Sequence, residues 1–194
     1  MADIQSTEIR KAQAFQLFQA GKLSQALHQC KVMCNLGQAD ARVWCLRAVV
    51  EGQTKDMPAA ARSAKKAVEL EPGNADCQFN LGLALLFSNH AREARVHLER
   101  TAEINPAHPN IQQFIAHAYE ESGDLTLAHQ HYEQAIAESP DDVDRLAYIG
   151  RRYELMQETE KCRTIISHAL LLDSLHPESN LIMARLDRYA GNRS

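Results

Sequence analysis

The chain has 194 residues, enough for one ordinary domain or one repeat array with a continuous core. Hydrophobic residues at 45% and charged residues at 24% argue against wholesale disorder, and a net charge of −4 argues against a phosphate-neutralising nucleic-acid binder or a polybasic membrane anchor. No apolar run approaches the length of a membrane span, so no membrane insertion is expected. Five cysteines form an odd set without framework spacing, which suits a reducing compartment. The opening Met-Ala-Asp-Ile-Gln-Ser runs straight into a charged amphipathic segment, so no signal peptide is expected and the reading is cytoplasmic.

Self-comparison at an interval of 34 residues organises the rest of the chain. A first helix hairpin is expected over 7–40, with Gly21 at its turn and Ala26 beyond it. The second, 41–74, repeats the register with Lys55, Ala60, Ala67 and Pro72, the last in Glu-Leu-Glu-Pro-Gly-Asn. The third, 75–108, carries Asn89, Ala94, Thr101 and Pro106, and the fourth, 109–142, carries Gly123, Ala128, Ala135 and Pro140. The fifth, 143–176, has Gln157, Cys162 and Ala169, with Ser174 where proline would fall. A last helix over 177–190 is expected to cap the stack, as a lone cap or an interrupted sixth unit, with Leu181, Met183 and Ala184 packing on the fifth hairpin.

Small residues at fixed places let two helix axes approach closely. Glycine or asparagine at the Gly21 register suits a turn that needs positive φ, and the prolines stand just past a helix end. On Trp44, Leu81-Gly82, Ile149-Gly150, Tyr119, Tyr132, Tyr153, the alanines and the three prolines, the chain resembles the tetratricopeptide repeat family over residues 7–190. Gln38 and Ser174 depart from the usual proline, and Glu51 stands where the motif has tyrosine. The resemblance implies one all-α domain, a right-handed superhelical solenoid of antiparallel helix hairpins.

A search for catalytic chemistry finds no glycine-rich phosphate loop, no Gly-x-Ser-x-Gly elbow and no zincin signature. His129 and His131 are two apart on a helix and diverge by about 200°, so they cannot share a metal. Cys30 and Cys34 lie four apart on one helix, but no second pair completes four ligands, and core packing is the expected role of Cys30. Glu120-Glu121 and Asp141-Asp142 are adjacent rather than facing. No enzymatic activity, cofactor or metal is therefore expected.

The resemblance further implies that the first helix of each unit lines a concave face that receives a protein or peptide segment. The inward positions by register are Phe15, Cys45, Val49, Phe79, Asn80 and Leu83 in units one to three. Units four and five contribute Gln113, Phe114, His117, Glu120, Tyr148 and Arg151. The expectation is a two-part groove, apolar toward the N-terminus and polar toward the C-terminus, with Phe79 and Leu83 replaceable by aspartate without unfolding. Phe15, Leu46, Asn110 and Phe114 stand where the co-chaperone members that grip a terminal carboxylate need polar or basic groups, which disfavours that subtype. Two alternatives stand beside the scaffold reading. One is the non-catalytic N-terminal region of a larger enzyme, such as a bacterial sulfotransferase or glycosyltransferase; the other is a structural protein that self-associates into a homo-oligomer.

Overall fold

The computed structural model describes the backbone of residues 2–191 and the side chains of 5–188. Among these it holds eleven α-helices and no strand, the all-α helical-repeat class read from the sequence. The chain divides into two compact units, Met1–Gly123 and Asp124–Ser194. The first contains α1 (Ala2–Gln19), α2 (Leu23–Asn35), α3 (Ala41–Gln53), α4 (Met57–Leu70), α5 (Ala75–Leu86), α6 (Ala91–Ile104) and α7 (Ile111–Glu121). The second contains α8 (Leu125–Glu138), α9 (Val143–Leu155), α10 (Thr159–Leu172) and α11 (Pro177–Gly191). The sequence end read as an interrupted next turn includes residues 192–194, which lie outside the described residues.

The turn chemistry explains the 34-residue register. Gly21, Lys55, Asn89, Gly123 and Gln157 all adopt positive φ, between 61° and 88°. Just after four of these, the backbone N–H groups of Lys22, Asp56, His90 and Glu158 donate to the carbonyls of Leu17, Glu51, Leu85 and Tyr153 at 2.9 Å. That six-to-one bond closes a helix C-terminus only when the preceding residue is left-handed, so each turn demands a residue that tolerates αL. Lys55 and Gln157 meet the demand at a cost that glycine avoids. Helix starts are fixed by side chains: Asp40, Asp56, Asn74, Asp124 and Asp142 accept from the backbone N–H three residues on.

The small-residue series is the packing seam. Ala26, Ala94, Ala128 and Cys162 are fully buried and Ala60 nearly so; Ala67, Thr101, Ala135 and Ala169 are buried in the same way. Gly82 and Gly150 are tighter still. A Cβ at Gly82 would stand 2.7 and 2.8 Å from Leu98 side-chain carbons, and one at Gly150 2.5 and 2.8 Å from Ile166 carbons. These glycines exist for helix approach, not for turning.

In the first unit the core is continuous through α1–α3 (Ala14, Met33, Val43, Val50) and through α5–α7 (Leu81, Leu98, Ile111, Ile115). Cys30 is fully buried in it. In the second unit Tyr132 and Tyr153 stack edge-on at 5.7 Å between α8 and α9, beside buried Ile149 and Ile166. The seal by α11 corrects part of the expected register: Ile182 and Leu186 are buried, whereas Leu181 is 52% exposed and Ala184 is exposed; Met183 is half-buried, its sulfur 3.5 Å from Arg163 of α10. Ile182 and Leu186 are four apart, so they share the one face that turns to the core.

Glu51 departs most from the motif, and the structure supplies its partners. It is 3% exposed at the end of α3, accepting from Arg47 Nε at 2.8 Å and from the Ser63 hydroxyl at 2.6 Å. Arg47 also stacks over Trp44 at 5.2 Å. Removing one member of such a network leaves a buried charge without a partner.

Candidate functional site

Two clefts open on the α3 and α5 side of the first unit. The larger, about 710 Å³, is bounded by Phe15 of α1, Arg42 and Cys45 of α3, Asp76, Cys77 and Phe79 of α5, and His108 and Pro109 ahead of α7. The smaller, about 310 Å³, is bounded by Val49, Gly52 and Gln53 of α3, Met57 and Ala60 of α4, Leu83 and Ala84 of α5, and Phe87 just past its end. Asn80 lines both. This arrangement follows from α-helical spacing: Cys45 and Val49, and likewise Phe79 and Leu83, are four apart and present neighbouring points of one helix face.

The larger cleft is mixed in character. Phe15 is 36% exposed at its mouth, and Phe79 is half-buried. His108 is 8% exposed, its Nε2 lies 3.1 Å from Asp76, and its ring centroid sits 4.3 Å from that of Phe79. At the wall, Cys45 and Cys77 belong to one small buried cluster with Ala41 and Ala67. The neighbouring Cys77 thiol, reinforced by burial, pushes Cys45 far above the ordinary thiol range. The Cys45 thiol in turn holds Cys77 below its usual value, against the opposing effect of burial.

The smaller cleft is apolar, and its rim continues into an aromatic cluster. Phe87 is 47% exposed and meets Phe114 at 6.4 Å and His117 at 5.9 Å, both edge-on. Phe114 meets Phe79 edge-on at 5.6 Å. Edge-to-face aromatic pairs at these separations stabilise one another by about 0.5–1.5 kcal/mol beyond the area they bury.

Six residues expected on the inward face, Phe15, Cys45, Val49, Phe79, Asn80 and Leu83, line these clefts. The others are placed differently. Gln113 and His117 are 6% exposed and line neither cleft, so they are buried rather than part of an open polar surface; His117 Nε2 lies 3.3 Å from Glu121 on its own helix. Cys45, at 9%, is buried at the wall of the larger cleft. Phe114 and Glu120 are half-buried. In the second unit Tyr148 is half-buried and Arg151 is exposed, paired to Glu178 at 3.2 Å. Phe79 and Leu83 pack against the core as well as bounding the clefts, so their replacement by aspartate would disturb the fold, contrary to expectation.

Phe87 and His108 stand outside the set expected from the sequence. Phe87 is legible as the i+4 successor of Leu83 on the α5 face. The Asp76–His108 pair recurs two periods later as Asp144–His176, also at 3.1 Å, a periodic signal hidden because only alternate units carry it. No group of three or more potential metal-ligating side chains occurs among the described residues. Nor is any helix among them long and apolar enough to cross a membrane.

With this geometry in place, two family models described as "Tetratricopeptide repeat" match residues 53–118 and 109–142. Bacteriophage adsorption protein A of Escherichia coli (strain K12) is 32% identical over 109 residues, 56% of this chain. The match covers 11% of that protein, so the chain is far shorter than this curated relative. A thermophilic TPR protein of Thermus thermophilus superposes with a TM-score of 0.76 at 15% identity, over 93% of this chain and 98% of that one. MamA of Desulfovibrio magneticus gives 0.73 at 15% identity, over 88% and 97% of the two chains.

Proposed function

Because the chain is a tetratricopeptide repeat protein, we propose that it works as a non-catalytic interaction module, holding an apolar segment of a partner protein along the α3–α5 face of its first unit. One observation carries the reading: an apolar cleft and a mixed cleft meet at a single half-buried amide, Asn80, with Phe15 and Phe87 exposed at their rims. Aromatic anchors in partly desolvated pockets dominate the affinity of protein interfaces. The amide supplies a hydrogen-bonding group to a segment that crosses from one cleft to the other. The overall negative charge supports a protein occupant over a nucleic acid. Five free cysteines support a cytoplasmic setting.

The test uses exposed anchors in place of Phe79 and Leu83. Peptides selected from a random library on the intact chain are titrated into wild type, Phe15→Asp and Phe87→Asp. Each variant should keep the wild-type circular dichroism spectrum and lose at least tenfold in affinity. Unchanged affinity in both overturns the proposal. A second reading, a non-catalytic section of a larger protein, is supported by the match to 11% of the adsorption protein. Sequencing the source gene on both sides of this reading frame tests it: further coding sequence supports it, and flanking stop codons oppose it.

A further inference from the structure

Building on the binding role proposed above, we infer that the captured segment is extended and carries two marks about three or four residues apart. One is an acidic side chain that faces Arg42, and the other is a bulky apolar side chain that enters the smaller cleft.

Arg42 is out of place by the local rules of its helix. It is the second residue of α3, and the corresponding second residues of α5, α9 and α11 are Asp76, Asp144 and Glu178. The helix dipole favours acids at that place and disfavours a cation. Nothing local compensates: Arg42 is exposed, borders the larger cleft, and makes no hydrogen bond or ion pair among the described residues. A side chain that breaks a local preference without a compensating contact marks a place kept for function. The carboxylates around it are already engaged. Asp40, two residues earlier, holds Lys11 Nζ at 2.9 Å, and Asp76, on the α5 side of the cleft, lies 3.1 Å from His108 Nε2. An acid brought by a partner therefore meets an uncompensated guanidinium, whose planar N–H donors match a carboxylate.

The smaller cleft has no charged side chain in its lining, so it selects an apolar group rather than a second charge. The spacing follows from the helices. Arg42 and Val49 are seven residues apart and share a face of α3, about 10 Å from each other along the axis. Asn80 and Phe87 repeat that separation on the α5 side. An extended chain covers about 10 Å in about three residues, and the reach of the arginine side chain admits a fourth. Asn80, where the clefts meet, offers a donor and an acceptor to the backbone between the two marks.

The experiment selects linear peptides from a random library on the intact chain, then remakes an enriched one acetylated and amidated, so that no terminal charge contributes. Enriched peptides should carry Asp or Glu three or four positions from Leu, Ile, Met or Phe. Replacing the peptide's acid by lysine should weaken binding to wild type by about tenfold. Against Arg42→Glu, which places a favoured acid in the first turn of α3, the preference should invert and the lysine peptide should bind more tightly. Selected peptides without the acid overturn the inference, as does an acid-to-lysine effect of equal size in wild type and Arg42→Glu. Binding that collapses in Phe87→Asp but ignores the exchange at Arg42 sinks this inference alone. Binding that survives Phe87→Asp, Phe15→Asp and the exchange at Arg42 sinks the underlying binding face with it.

Discussion

Gly82 and Gly52 both sit inside first helices, and the structure predicts opposite effects when each becomes alanine. In a helix, alanine is favoured over glycine by about 0.8–1 kcal/mol. At Gly52 the added Cβ would meet only Ala60 Cβ at 4.0 Å, an ordinary contact. Gly52→Ala should therefore stabilise the first unit, by less than about 1 kcal/mol because the site lies near the helix end. At Gly82 the Cβ would stand 2.7 and 2.8 Å from Leu98 carbons and 3.3 Å from the Ala94 carbonyl oxygen. Leu98 is fully buried and cannot swing away, so its side chain and the α5–α6 spacing must shift by roughly an ångström. Overpacking of this kind costs about 1–3 kcal/mol, which exceeds the propensity gain and leaves Gly82→Ala destabilised by about 1 kcal/mol. Urea unfolding followed by far-UV circular dichroism reads both variants, and Gly82→Ala/Leu98→Val should recover part of the loss as a non-additive term. A higher unfolding midpoint for Gly82→Ala, matching that of Gly52→Ala, would refute the close-approach reasoning.

Relief of the left-handed turns should be visible in the same assay: Lys55→Gly and Gln157→Gly should each raise the midpoint, by about 0.5–1 kcal/mol. No gain in either would show that the turn strain is absent. Glu51→Ala should lower stability by about 2–3 kcal/mol, less than the 3–5 kcal/mol of a fully buried pair because Arg47 retains 22% side-chain exposure. An effect below about 0.5 kcal/mol, as for an exposed pair, would contradict the network. Burial holds His97 below the ordinary histidine value, partly opposed by Glu93, with Gln78 2.8 Å from its ring. The unfolded chain then binds the proton more readily. This contribution is intact above about pH 6.5 and is lost as the pH falls through that value toward the lower folded one. His97→Gln should reduce the fall in stability between about pH 7 and pH 5, and an unchanged pH slope would count against it.

The turn and seam positions were legible because one constraint recurs at each. Only a residue tolerant of positive φ closes the turn after Leu17, Glu51, Leu85 and Tyr153, and only a small residue fits where Ala26, Ala60 and Ala94 lie. The inward face was legible as a set of positions, but the sequence could not say how open each one is. Val49 and Leu83 remain accessible while Gln113 and His117 close over, although all four belong to the same two rows of the repeat. A first helix touches both its own partner and the next hairpin, so a residue's exposure depends on its neighbours' bulk, and Phe87 and Phe114 bring that bulk around His117. The α11 seam differs from expectation by one position because that helix packs on one side only. Leu181 and Ile182 are equally hydrophobic, and only Ile182 shares its face with a second buried residue four positions on, Leu186.

Capture of a partner segment by the α3–α5 face is tested most directly by backbone amide shifts, recorded while a library-selected peptide is titrated into the intact chain. The largest changes should fall along α3 and α5, around Val49, Asn80 and Phe87, with Phe87→Asp abolishing them. Shifts confined to other helices, at saturating peptide, would contradict that placement.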